Sequence, residues 1–113
     1  MSSDNSTASD ALVSQIIVED PDLRDIVEEF VGELNDRLCE IRSAYEQLDW
    51  DHLTTLAHRL KGAGGSYGYP DISQVCADME KRFRSHEADE FDTRMSQLQE
   101  LVNAAIRGLE SPA

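Results

Sequence analysis

No stretch of this chain approaches the ~18 consecutive apolar residues that a membrane-crossing helix needs, so no membrane span is expected. Positive charge is scarce: 10 Lys and Arg stand against 23 Asp and Glu, a formal net charge of −13. A chain this acidic lacks the basic footprint that phosphate backbones require, which excludes nucleic acid as a partner. Only two cysteines occur, Cys39 and Cys76, far apart and without metal-ligand spacing. They give no disulfide framework, so a reducing cytoplasm is the expected compartment, and Cys76 reads as a small core residue. The N-terminus has neither a basic stretch nor an apolar one, so no secretory signal is read there. Strand-type alternation is missing throughout. So are the phosphate-cradling patterns GxxxxGK[ST] and GxGxxG, and any repeat at a solenoid period.

What remains is helical periodicity. The 113 residues, 40% of them apolar, suit one domain with one modest core. Residues 1–8 read as a disordered polar tail and residues 9–110 as the folded domain. A short first helix is expected from Ser9 to Val18, capped by Ser9 or Asp10, with Leu12, Val13, Ile16 and Ile17 on one side. Pro21 suits the first turn of a long helix reaching Leu48. Its apolar stripe is Leu23, Ile26, Val27, Phe30, Val31, Leu34, Leu38, Ile41, Tyr45 and Leu48. Asp49 caps the next helix, which carries Leu53 to Tyr67 and stops at Gly68-Tyr69-Pro70. A further helix from Asp71 turns Ile72, Val75, Cys76, Met79 and Phe83 inward, and Ser85–Asp89 reads as a turn. The last helix spans Glu90 to Leu109, with Phe91, Met95, Leu98, Leu101, Val102, Ala105 and Ile106 on its core face, and Gly108 and Pro112 ending it. The predicted fold is all-α: an antiparallel up-down four-helix bundle with a short extra N-terminal helix.

The segment Ala57-His58-Arg59-Leu60-Lys61-Gly62-Ala63-Gly64-Gly65-Ser66-Tyr67-Gly68 stands apart. At about 100° per residue, Thr54, Lys61, Gly62 and Gly65 fall within roughly 60° of His58, while Leu53, Leu56, Ala57, Leu60, Gly64 and Tyr67 cluster roughly 200° away. His58 therefore faces solvent. Gly62, Gly64 and Gly65 each cost a helix about 1 kcal/mol relative to alanine, which asks for a reason. Either the helix ends at Gly64 or Gly65, or Gly62 and Gly65 clear a flat surface around the imidazole. Tyr67, continuing the apolar stripe, favours the second. Five of the ten basic residues, Arg59, Lys61, Lys81, Arg82 and Arg84, lie in or just after this segment and form a candidate basic patch.

An unperturbed imidazole titrates near pH 6.5, so a neutral, nucleophilic Nε2 is available in a cell, provided Nδ1 holds the proton and donates it. Lys61, three residues on, can meet a phosphoryl oxygen on Nε2. Glu80, on the neighbouring helix, is the candidate acceptor for Nδ1, and Arg84, one turn beyond, a candidate charge contact.

This segment resembles the motif of the histidine phosphotransfer (HPt) domain: Ala-His-x-Leu-Lys-Gly, small residues, an apolar residue and a glycine. The resemblance implies that His58 is the phosphorylated residue, with Lys61 and Gly62 in the motif positions that follow. It further implies that Gly65 is the small residue facing the partner, that Gly68 closes the motif, and that Glu80 holds the place of the glutamine or glutamate beside the histidine. Gly64 and Tyr67 depart from the usual serine or alanine and aliphatic residue. The implied role is a phosphorelay intermediate of two-component signalling rather than an enzyme. Phosphate would come from a histidine kinase or a receiver aspartate and pass to a response-regulator receiver. Arg59, Gly62, Gly65 and Gly68 would face receiver domains of response regulators and hybrid histidine kinases. No cofactor is expected in this chain, Mg²⁺ being supplied by the partner receiver, and the chain is expected to act as a cytoplasmic monomer.

Three other readings compete. In a non-catalytic helical interaction module, His58 would be incidental. The dimerisation domain of a histidine kinase places an acidic residue directly after its histidine and a proline a few positions on; here Arg59 follows, and no proline lies between His58 and Pro70. A metal or haem bundle lacks support, because His52 and His58 point to different sides and no Glu-x-x-His occurs.

Overall fold

The computed structural model describes residues 11–110. Among them, helix α1 spans Gln15–Glu19, α2 Arg24–Glu46, α3 Trp50–Ser66, α4 Pro70–Arg84 and α5 Phe91–Glu110. The fold is all-α, a four-helix bundle of α2 to α5 with α1 as the short extra element. The long helices are joined by short connections, and each packs beside its neighbours: α2 on α3 and α5, α4 on α3 and α5. The seam between α3 and α4 is the most extensive.

The apolar stripes meet in one core. Helix α2 contributes Val27, Phe30, Val31, Leu34, Leu38 and Ile41, and α3 contributes Leu53, Leu56, Ala57 and Leu60. Opposite them stand Ile72, Cys76, Met79 and Phe83 of α4, and Phe91, Met95, Leu98, Val102 and Ala105 of α5. Burial pushes the Cys76 thiol up to about 12, which leaves it uncharged and inert. Pro21 opens a 3₁₀ turn, Pro21–Leu23, that leads into α2. The Asp49 carboxylate accepts the His52 N–H at the start of α3, as expected of a cap.

Several details differ from the sequence expectation. Residues 11–14 are not helical, and the first helix begins at Gln15. The backbone there bonds to distant elements instead: Leu12 N donates to Ala104 O at 2.9 Å and Gln15 N to Gly68 O at 2.9 Å. The expected caps Ser9 and Asp10, the polar tail and Pro112 lie outside the described residues. Val13 is exposed, whereas Leu12, Ile16 and Ile17 pack on the core as anticipated. Ile26 and Leu48, assigned to the buried stripe, are exposed. Gly108 does not end α5, which runs through it to Glu110. A side chain at Gly108 would collide with the Leu12 backbone, so the glycine makes room for the N-terminal segment to cross. Tyr69, expected in a loop, is fully buried and stacks near Phe30.

The connection between α3 and α4 fixes the end of the histidine helix. Gly68 has φ +86°. Tyr69 N reaches back to Gly64 O at 2.8 Å and Gly68 N to Gly65 O at 3.2 Å, the paired bonds of a Schellman cap. Helix α3 thus ends at Ser66, past Gly64 and Gly65, which are not its terminators. Pro70 then opens α4.

Candidate functional site

Helix α3 carries its leucines into the core, and the opposite face presents His58 with its side chain 61% exposed. Gly64 sets how near α4 comes. A Cβ there would stand 3.1 Å from the Ser73 backbone nitrogen and 3.3 Å from Ile72 Cγ2, tighter than a normal packing contact. Ser73 also donates its hydroxyl to the Lys61 carbonyl at 2.9 Å, a second tie across the seam. Ser73 is not among the site residues expected from the sequence. Its signal was register: it lies two turns before Glu80, on the same face of α4.

This close seam delivers Glu80 to the imidazole. Glu80 Oε2 lies 3.0 Å from His58 Nδ1, Lys61 Nζ lies 2.8 Å from Oε1, and Arg84 donates to Oε2 at 2.6 Å. The Glu80 side chain is only 4% exposed. The Lys61 ammonium holds this carboxyl below the usual carboxylate range; burial opposes it, while the His58 bond and Arg84 add to the lowering. An ionised carboxylate can only accept, so Nδ1 carries the hydrogen and donates it. In the neutral ring the lone pair is then on Nε2.

The four residues expected to act together, His58, Lys61, Glu80 and Arg84, are therefore one cluster. Lys61 is bound to Glu80, a partner not foreseen for it. Of the four residues expected to face a partner, Arg59, Gly62 and Gly65 are exposed. A Cβ on Gly62 would meet nothing within 4 Å, and one on Gly65 only Ser73 Oγ at 3.7 Å, so the surface beside His58 is low. Gly68 is the exception. It is buried, and a side chain there would press on Ser14 Oγ at 2.6 Å and Gln15 N at 2.7 Å. Its role is the left-handed turn and the seat of the N-terminal segment, and it offers a partner no surface.

The expected basic patch divides in two. Lys61 and Arg84 converge on Glu80. Lys81 and Arg82 lie around the other side of α4, along a cleft shared with Asp78, Ser85, Glu87 and Arg94. His52 and His86 are separate from the site; His86 stacks on Trp50 with ring centroids 5.4 Å apart.

The family model of the Hpt domain matches residues 25–108. The chain belongs to the Hpt domain family. No curated protein and no solved structure matches it. Hpt domains are helical phosphotransfer modules of two-component phosphorelays and interact with receiver domains. The matched span of this Hpt domain contains all of α3 and α4 and nearly all of α2 and α5. No helix among its described residues is long and apolar enough to cross a membrane.

Proposed function

We propose that His58 is the residue of this Hpt domain that is phosphorylated, on Nε2, and that it relays the group between receiver aspartates or from a histidine kinase to a receiver. The observation that carries the reading is the pairing of opposites on one imidazole. Nδ1 is bound to a buried carboxylate, and the rest of the ring stands in solvent. Glu80 fixes the tautomer and the ring plane. Nε2 then attacks phosphorus in line with the departing aspartyl oxygen, and the protein's share of the work is positioning and charge balance.

Lys61 and Arg84 supply that balance. In the resting protein both are bound to Glu80. A phosphoryl dianion arriving on Nε2 gives each a second anion within reach of a long, mobile side chain. Gly62 and Gly65, with Arg59 beside them, form the surface on which the receiver docks. The receiver brings Mg²⁺ and the reacting aspartate, so this chain needs no metal or nucleotide of its own. Such relays are cytoplasmic, and one copy of the bundle presents a complete site.

The test is exposure to phosphorylated receiver domains, followed by assay for an acid-labile, base-stable phosphoryl group on this chain. Wild type should carry one such group and His58→Gln none. Label retained by His58→Gln, on His52 or His86, would contradict the assignment.

A further inference from the structure

We propose that Glu80 also acts after the phosphoryl group has arrived: its carboxylate keeps the imidazole of phosphorylated His58 protonated at Nδ1, and so keeps the group transferable. This rests on the reading of His58 as the phosphoryl acceptor and concerns the loaded state.

The bonds and charges account for the need. On arrival, the Nε2 lone pair forms the P–N bond, and the donor's P–O bond breaks with its electron pair staying on the carboxylate oxygen. Nδ1 keeps its hydrogen, so the ring becomes a phosphoryl-bearing imidazolium. On departure, an acceptor carboxylate oxygen forms the new P–O bond. The P–N pair returns to Nε2, and neutral imidazole is restored with the same hydrogen on Nδ1. No proton enters or leaves in either direction. If the loaded ring loses its Nδ1 proton, the leaving group in the next step is an imidazolide anion, which is far poorer. The phosphoryl group is then trapped on a stable neutral phosphoimidazole.

The geometry is suited to holding that proton. The charged groups facing the ring are Lys61 on α3 and Glu80 and Arg84 on α4; Arg59 follows His58 in the chain and is exposed. Of these, only Glu80 touches Nδ1, at 3.0 Å, from a side chain 4% exposed. A hydrogen bond from a cation to a buried carboxylate is stronger than one to a neutral amide. The two cations oppose retention of the proton, but they are bound to Glu80 itself. The incoming phosphoryl dianion adds negative charge beside the ring and favours the protonated form further.

Glu80→Gln tests the charge, because it keeps the shape and an accepting oxygen. The protein is loaded with phosphoramidate, which needs no partner, and the phosphorus resonance is followed by NMR against pH. Relative to wild type, the midpoint should fall by about one pH unit or more in the variant, a tenfold loss of proton affinity. Glu80→Asp, which keeps the charge, should stay nearer wild type. Transfer from loaded protein to a receiver should hold steady in wild type between about pH 6 and about pH 8.5, across the range where an imidazole titrates. In Glu80→Gln it should match at the acid end and slow about tenfold or more at the alkaline end. Equal midpoints and parallel pH profiles would overturn the inference and leave the acceptor reading intact. If phosphoramidate loads nothing on His58, the acceptor reading falls and this inference with it. Should Glu80→Gln not fold, the comparison is wild type with free Nε2-phosphohistidine: the protein's midpoint must be the higher, and an equal or lower one overturns the proposal.

Discussion

Three residues just past helix ends adopt a left-handed backbone, which costs them unequally. Leu48, Gly68 and His86 have φ of 53°, 86° and 56°. Each is followed by the same return bonds: Asp49 N to Ala44 O at 3.1 Å, Tyr69 N to Gly64 O at 2.8 Å, and Glu87 N to Arg82 O at 2.9 Å. Left-handed backbone costs a residue with a side chain roughly 1–2 kcal/mol, and glycine almost nothing. Gly68→Ala adds that strain to a collision with Ser14 and Gln15, so it should lose about 2 kcal/mol or more and melt roughly 8 °C or more lower. Leu48 is exposed and buries little. Leu48→Gly should therefore gain about 0.5–1 kcal/mol and melt a few degrees higher. Thermal melts of the two variants check both signs. A stable Gly68→Ala would mean that the N-terminal segment is not seated on that turn.

At the scale of the element, α3 carries three glycines whose surroundings separate packing from access. Gly64 is pressed against α4, while Gly62 and Gly65 stand nearly clear. Gly65→Leu should fold and melt at or above the wild-type temperature, because about 1 kcal/mol of helix cost is removed. It should nonetheless block phosphotransfer, since its side chain rises about two turns beyond His58 on the same side of α3. Gly64→Leu should instead destabilise the bundle. Melting curves and a transfer time course on both variants decide, and normal transfer by Gly65→Leu would place the docking surface elsewhere.

The register of α3 was legible because one period governs the whole helix: leucines inward fix His58 and Lys61 outward. Glu80 was a candidate through its place on the neighbouring helix, and the family pattern set it beside the histidine; no period spans the turn at Gly68. The bonds of Lys61 and Arg84 to Glu80 depend on how closely two helices approach, which Gly64 and Ser73 set and no single-helix pattern encodes. The first helix was misplaced because its apolar residues keep a helical spacing over residues 11–14, while their backbone bonds go to Ala104 and Gly68. Ile26 fits the stripe's steps yet is exposed beside the fully buried Val27, at the edge of the apolar face, and Leu48 lies past the end of α2 in a left-handed turn.

The molecule as a whole is polarised. Residues 52–86 hold five of the ten basic residues and three of the 23 acids, Asp71, Asp78 and Glu80. The rest of the chain carries nearly all of the negative charge. An acidic partner pocket approaching His58 meets Arg59, Lys61 and Arg84 with Glu80 buried among them, and at physiological salt screening over about 8 Å hides much of the remaining negative charge. A relay must give up what it accepts. The direct measurement is a pulse–chase: load His58, remove the donor, and present the purified phosphoprotein to a panel of receiver domains. The phosphoryl group should leave His58 and appear on a receiver aspartate, faster than it is lost to buffer. Loss only as inorganic phosphate, at the same rate with and without every receiver, would contradict the relay role.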